Sequence, residues 1–281
     1  MATTNISQAG RQVESTARAA LHNPWVERLA RLGYAARGVV YALVGILAVQ
    51  TAFGARGNQE TDTRSALQMV AEQSRALLWL LALGLFGYAL WRVIEGVMDV
   101  EGKGSDLKGW AKRAAMVGSG LIYGGLAMAA VRIASGSGTG GGGGNQAWTA
   151  ELMTKPFGRW LVALIGIGVM AGGLAQIRNG WTEKFRKHLK TQEMDANELR
   201  LAVNTGKLGL IARGIVFLLS GWFLIQAARH FNPEEARGLA GALDSLARQP
   251  YGSWLLGFVA LGLIAFGAYS LLLARYRRIA V

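Results

Sequence analysis

Six apolar stretches alternate with polar connectors along the 281-residue chain. Each is almost free of charged side chains and reaches about 20 residues, the length of helix that crosses a hydrocarbon core of roughly 30 Å. Two or three such stretches could be buried helices of a soluble core, whereas six indicate an all-α, polytopic membrane protein with six transmembrane helices. The stretches cover residues 38–55, 76–97, 114–131, 157–177, 210–228 and 253–274.

The six stretches form three tandem two-helix repeats, because the same landmarks return in each pair. The first helix of each pair contains a similar run, at residues 32–41, 115–123 and 208–217. A glycine recurs late in each second helix, at Gly84, Gly168 and Gly262. The predicted organisation is a disordered cytoplasmic tail over 1–29, repeat 1 over 30–102, repeat 2 over 103–181 and repeat 3 over 182–281.

Two connectors have a composition of their own. The glycine-rich tract at 136–144, in the outer loop of repeat 2, lacks the Lys-Ser/Thr that a phosphate loop requires, so we interpret it as a flexible linker. The connector 181–204, in repeat 3, places Phe185, Leu189, Leu199 and Val203 among basic residues. That spacing favours a basic amphipathic helix on the inner membrane surface, with a partner or ligand site as the alternative.

Charge gives the orientation. The net charge is +13, which in a soluble protein would suggest nucleic acid. With six spans, however, both termini and two of the connectors share one side, and that side holds 21 of the 30 Lys and Arg residues. The positive-inside rule then places both termini in the cytoplasm and makes anionic lipids of the inner leaflet the expected partner. Nucleic acid is not expected.

Several runs resemble a known family. They are Gly-Tyr-Ala-Ala-Arg-Gly-Val-Val-Tyr at 33–41, its echo at 209–217, Pro-Tyr-Gly-Ser-Trp-Leu-Leu-Gly at 250–257 and Ala-Arg-Tyr-Arg-Arg at 274–278. The chain is similar over residues 30–278 to the bacterial family called domain of unknown function 1206. The resemblance implies a six-span inner-membrane protein of three two-helix repeats, and no established reaction. Repeat 2 departs from the pattern, since Ser119 replaces the arginine of the other repeats.

Four ionisable residues in the spans are candidates for polar contacts: Arg37, Arg213, Arg92 and Glu95. We expect Arg37 and Arg213 to lie within about two turns of the cytoplasmic interface, where a long side chain can extend to the headgroups at low cost. An ion pair between Arg37 and Glu95 is also expected. Whether the two arginines only orient the helices or bind an anionic lipid or substrate stays open.

Uncharged residues supply the remaining candidates. Gln50 and Gln226 occupy matching places in repeats 1 and 3, and such side chains usually form hydrogen bonds between helices. Small residues spaced four apart allow helices to approach closely, within the bundle or between protomers. The glycines predicted to pack in this way are Gly38, Gly120, Gly124, Gly168, Gly172 and Gly214.

Catalysis finds little support in the sequence. The chain has three scattered histidines and no cysteine, so we predict no metal site, no cofactor and no catalytic residue. The favoured hypothesis is a non-enzymatic structural or accessory protein that binds anionic lipid or a membrane protein partner, which could be a second copy of the chain. The alternative is a small-solute or ion transporter or channel built from parallel internal repeats.

Overall fold

The computed structural model describes residues 24–54, 61–100, 102–137 and 144–278, and this part of the chain is helical with no strands. Six of its helices are long and apolar enough to cross a membrane, which confirms the predicted all-α membrane fold. The α-helices are α1 (Pro24–Ala52), α2 (Thr63–Gln73), α3 (Arg75–Val97), α4 (Leu107–Ala134), α5 (Gly144–Met153), α6 (Gly158–Trp181), α7 (Ala196–His230), α8 (Leu239–Ala247) and α9 (Gly252–Tyr276).

The first helix begins earlier than its apolar stretch. Residues 24–29, predicted to belong to a disordered tail, form the first turns of α1. They are held by tertiary contacts, since Arg31 pairs with Glu27 and donates to the carbonyl oxygen of Ala274 at 2.9 Å. Hydropathy alone misses these turns because their polar residues find partners on α9. The predictions for residues 1–23 and for most of the glycine tract lie outside the described residues.

Contacts between repeats are more extensive than contacts within them. The pairs α1–α9, α3–α4 and α6–α7 each join two different repeats and form the largest helix interfaces. Glycines explain the close approach, because a Cβ on Gly38 would lie 2.9 Å from the carbonyl oxygen of Gly267, and a Cβ on Gly214 would lie 2.7 Å from that of Gly173. The repeats are therefore interlocked around a common centre.

The ring of long helices is open at repeat 2. Its order is α4, α3, α1, α9, α7 and α6, and the two terminal helices, each described over its whole length, hardly contact one another. Both are also the least buried spans. A Cβ on Gly168 or Gly172 of α6 would meet no atom within 4 Å, so these two glycines pack against no other described helix of this chain. Of the two kinds of contact left open for them, packing within the bundle is not found for these two glycines among the described residues, and packing between protomers stays a prediction.

The long connector of repeat 3 does not form the predicted amphipathic helix. It consists of two short 3-10 turns, Lys184–His188 and Thr191–Glu193, and α7 then begins behind a capping box of Asp195 and Glu198. Phe185 is buried, and its ring contacts that of Tyr269 edge to face at 5.3 Å. The apolar residues of the connector therefore close one end of the bundle instead of lying on the membrane surface.

We call this end of the bundle, where α3, α6 and α9 finish and α4 and α7 start, the basic end. The short helices α2, α5 and α8 lie at the other end, which we call the opposite end. Here α2 and α8 bury their apolar residues against the bundle, as Leu67 and Leu243 show. The sides of the bundle expose large apolar residues, including Phe86 on α3 and Phe258 on α9, as expected of surfaces that face lipid.

Candidate functional site: arginines between the repeats

Arg37 lies in the middle of its helix. It follows the first residue of α1 by 13 residues and precedes the last by 15, which at 1.5 Å per residue is about 20 Å from either end. Arg213 is the central residue of α7 in the same sense. Their acceptors on the neighbouring helices lie nearer the basic end, since Ser270 is six residues before the last residue of α9 and Gln176 is five residues before the last residue of α6. The expectation that both arginines lie within about two turns of the cytoplasmic interface stays a prediction.

Arg37 is 6 % exposed and is surrounded by aromatic rings. Its guanidinium donates to the hydroxyl of Tyr88 and, at 3.1 Å, to the hydroxyl of Ser270. It also stacks on the rings of Tyr34 and Phe266, with the guanidinium carbon 5.0 Å from each ring centre. Its charge is thus stabilised by hydroxyl dipoles and ring faces rather than by a headgroup.

Arg213 repeats this arrangement between α7 and α6. It donates to the hydroxyl of Tyr41 at 3.0 Å and to the side-chain oxygen of Gln176 at 3.1 Å. Its guanidinium carbon lies 4.9 Å from the centre of the Phe266 ring, which the guanidinium carbon of Arg37 also approaches, to 5.0 Å. Neither arginine forms an ion pair within the described residues. Two cations without a carboxylate partner among the described residues therefore flank one aromatic ring inside the bundle.

The hydrogen bonds of the two arginines follow the repeat. One hydrogen bond of each arginine reaches from the first helix of one repeat to the second helix of another. The acceptors of these two bonds, Ser270 and Gln176, occupy the same place in their repeats, eight residues after Gly262 and Gly168. These partners are visible in the sequence only when the repeats are aligned and the interfaces are known to form between repeats.

At the third interface, between α3 and α4, the arginine and the polar residue stand in each other's positions. Ser119 stands in the arginine position, and Arg92, eight residues after the landmark glycine of repeat 1, stands in the acceptor position. The next residue, Gly120, lies against α3 beside Arg92, since its Cβ would be 2.9 Å from the carbonyl oxygen of Ala89 and 2.7 Å from a methyl group of Val93. At these two matched positions, every interface between repeats thus has one arginine, including the interface at which Ser119 replaces it.

Tyr88 is at the centre of this arrangement. Its hydroxyl accepts a hydrogen bond from Arg37, whose guanidinium carbon lies 4.9 Å from the centre of its ring. Its ring makes edge-to-face contacts with Tyr34 at 5.2 Å and with Tyr123 at 4.6 Å between ring centres. Aromatic side chains therefore fill the space between the arginines.

Glu95 belongs to a different layer from the one predicted. It lies seven residues beyond Tyr88 on α3, about 10 Å nearer the basic end, and does not reach Arg37. Its carboxylate is fully buried and pairs with Arg92 at 2.5 Å and with Arg277 at 3.0 Å. The expected ion pair with Arg37 is wrong, because the chain segment after α9 brings Arg277 to the carboxylate instead.

The remaining candidates, two glutamines and several glycines, differ in the contacts that they make. Gln226 has a buried side-chain oxygen without a hydrogen-bond partner among the described residues, and Gln50 is half-buried. The role expected of them, hydrogen bonding between helices, is filled by Gln176. Among the glycines, Gly38, Gly120 and Gly214 lie against a neighbouring helix, whereas a Cβ on Gly124 would only touch the side chain of Ala89 at 3.9 Å.

Aromatic residues paired with cations mark the rim of the basic end. Trp25, Trp110 and Trp181 are 69, 56 and 71 % exposed. Each carries a cation over its ring: Arg28 at 5.0 Å, Arg113 at 4.5 Å and Lys207 at 5.5 Å. Within the described residues, no group of three His, Asp or Glu side chains could hold a metal ion.

Comparison with known proteins places the chain. Its sequence matches the family described as Domain of Unknown Function (DUF1206) three times, over residues 32–99, 114–183 and 208–277. It is 37 % identical over 256 residues to "Uncharacterized protein YxxB" of Bacillus subtilis (strain 168), which covers 90 % of this chain and 92 % of the relative. No solved structure matches it. Since the three matches span most of the chain and coincide with its three helix pairs, the protein belongs to the DUF1206 family.

Proposed function

We propose that the protein is a non-enzymatic component of the bacterial inner membrane, with both termini in the cytoplasm, that binds anionic lipid around its basic end. The rim of exposed tryptophans, each beneath a cation, carries this proposal. An indole at headgroup depth positions the helix end, and the adjacent cation attracts a phosphate. The described residues at this end, without Arg37 and Arg213, carry 17 basic and 8 acidic side chains and a net charge of +9, against +2 at the opposite end. Each nearby basic residue adds about 1 kcal/mol of attraction to an anionic surface.

The test removes two rim cations and measures lipid binding. Arg28 and Lys207 are suitable because Arg113 also donates to the carbonyl oxygens of Gly96 and Val97 and so holds the end of α3. Arg28→Gln combined with Lys207→Gln is expected to weaken binding of phosphatidylglycerol by a factor of about 30, from about 2 kcal/mol of lost attraction. Native mass spectrometry of the full chain, with phosphatidylcholine as the neutral reference, measures the affinity.

A matched variant at the opposite end is the control. Arg159, which lies over the ring of Trp160, and Arg248, whose side chain is 77 % exposed, lose the same two charges as Arg159→Gln and Arg248→Gln. This variant is expected to change phosphatidylglycerol affinity less than about threefold, because the electrostatic potential at that end is weaker. Equal losses in the two variants would contradict a specific role for the basic end.

Transport of a small anion is the second candidate. The observation in its favour is the pair Arg37 and Arg213, two cations inside the bundle between repeats 1 and 3 that have no carboxylate partner among the described residues. A transporter would use such charges to bind an anion on its way across the membrane. The test measures uptake of chloride or phosphate into proteoliposomes. A transporter is expected to show uptake that Arg213→Gln lowers at least about tenfold. Uptake no greater than that of empty vesicles would refute transport and leave lipid binding as the remaining proposal.

A further inference from the structure

A cavity opens at the basic end of the bundle, apart from the rim of tryptophans. Its volume is about 330 Å³, within the range of small-molecule sites. The last turns of α3, the α3–α4 connector, the first 3-10 turn and the segment after α9 line it together. Its basic residues are Lys103, Lys187, His188, Arg277 and Arg278.

Among the described residues that line the cavity, Glu95 is the acidic one, and its charge is already neutralised, because Arg92 and Arg277 each form an ion pair with it. Lys187 and Arg278 then leave an excess of positive charge around a concave space. Like charges held together repel, so an anion that enters the cavity lowers the electrostatic energy of the site.

Backbone contacts hold the walls in place. Leu189 and Arg277 form an antiparallel bridge, in which the amide of Arg278 donates to the carbonyl oxygen of His188 at 2.9 Å. On the other wall the carboxylate of Asp99 accepts hydrogen bonds from two amides, that of Lys103 at 2.6 Å and that of the next residue at 2.8 Å. The cations thus come from segments whose backbone is already ordered, and little conformational entropy is lost when a ligand binds.

We propose that this cavity is a binding site for a phosphate-bearing anion. Lysine and arginine donors that line the cavity from separate segments match the oxygens of a phosphate group, whereas a single carboxylate would engage fewer of them. The phosphate can belong to a lipid headgroup that enters from the membrane or to a soluble anion that enters from the aqueous side. The cavity does not depend on the rim cations, so this site and the proposed lipid belt can fail separately.

The test uses the full chain in phosphatidylcholine nanodiscs. Inorganic phosphate is titrated calorimetrically in one arm, and phosphatidic acid is added to the nanodisc lipid in the other, with bound phosphatidate counted by mass spectrometry. Binding in the first arm identifies a soluble anion, and binding only in the second identifies a headgroup. In either case Lys187→Gln with Arg278→Gln is expected to weaken binding at least about tenfold, since two charge-assisted contacts are lost.

Two further variants make the result specific. Both substituted side chains are exposed, so the fold should persist, and Lys187→Arg with Arg278→Lys, which keeps the charges, is expected to retain binding within about threefold. The rim variant Arg28→Gln with Lys207→Gln is expected to bind at the cavity as the unmodified protein does. Absence of binding in both arms overturns the proposal. It is equally overturned if Lys155→Gln with Arg159→Gln, at the opposite end, lowers binding as much as the cavity variant.

Discussion

The carboxylate of Glu95 is predicted to be the ionisable group on which folding depends most. It is fully buried, and the side chains of its partners Arg92 and Arg277 are 19 and 14 % exposed. Glu95→Gln keeps the size of the side chain but removes the charge, so both guanidiniums lose the ion pair with Glu95 without gaining access to water. Arg277 also anchors the segment after α9, since its backbone is paired with that of Leu189.

Removal of one member of a buried ion pair costs about 3–5 kcal/mol, because the remaining charge stays buried and uncompensated. We expect a loss in this range for Glu95→Gln, measured as the free energy of unfolding in mixed detergent micelles. Asp244→Asn is the matched control: it breaks an exposed pair with Arg248, whose side chains are 46 and 77 % exposed, and such pairs contribute about 0–1 kcal/mol.

Combination with Arg277→Gln separates the ion pair from other effects. If the pair carries the stability, the double variant is more stable than the sum of the two single losses predicts, by about 0.5–3 kcal/mol. The reasoning is refuted if Glu95→Gln costs no more than Asp244→Asn, or if the two losses at Glu95 and Arg277 simply add.

Three further predictions concern packing and pH. Gly214→Ala is expected to lower the free energy of unfolding by about 1–3 kcal/mol, because the added Cβ would lie 2.5 Å from a side chain of α6. Gly172→Ala is the control and is expected to leave that free energy unchanged, because the space around Gly172 is open. An equal loss in the two variants would contradict the assigned interface. Phe185→Ala should lower stability by about 3 kcal/mol and speed proteolysis of the connector, since its buried ring closes the basic end. Hydrogen bonds from two backbone amides hold the pKa of Asp99 below its ordinary value. The stabilisation that the Asp99 carboxylate gives is therefore complete above the unfolded-state pKa of about 3.9, and it is lost as pH falls through the lower folded-state pKa. Hydrogen exchange at those two amides, corrected for the intrinsic rate, should therefore accelerate in strong acid, and Asp99→Asn should show fast exchange at every pH.

The helices and their repetition were readable from local composition, but the partners of the arginines were not. Arg37 finds its acceptor on Ser270, 233 positions away, and Arg213 finds the hydroxyl of Tyr41, 172 positions away. No local pattern reports such distances. The early start of α1 has the same origin: its polar first turns are helical because α9 supplies partners for them, which a hydropathy window does not detect.

By itself, the sequence determined how many helices are long and apolar enough to cross a membrane, how these helices repeat and which of their ends carry the positive charge. Each of these depends on composition within about 20 residues, since a bilayer accepts a segment by its length and apolarity. Only the tertiary structure decided that the repeats contact one another more than they contact themselves. At the α3–α4 interface, Arg92 of repeat 1 stands in for the arginine that Ser119 replaces in repeat 2. Glu95 pairs with Arg277, which lies 182 positions further along the chain. These are pairings between distant segments, and close approach of glycine-bearing helices brings them together.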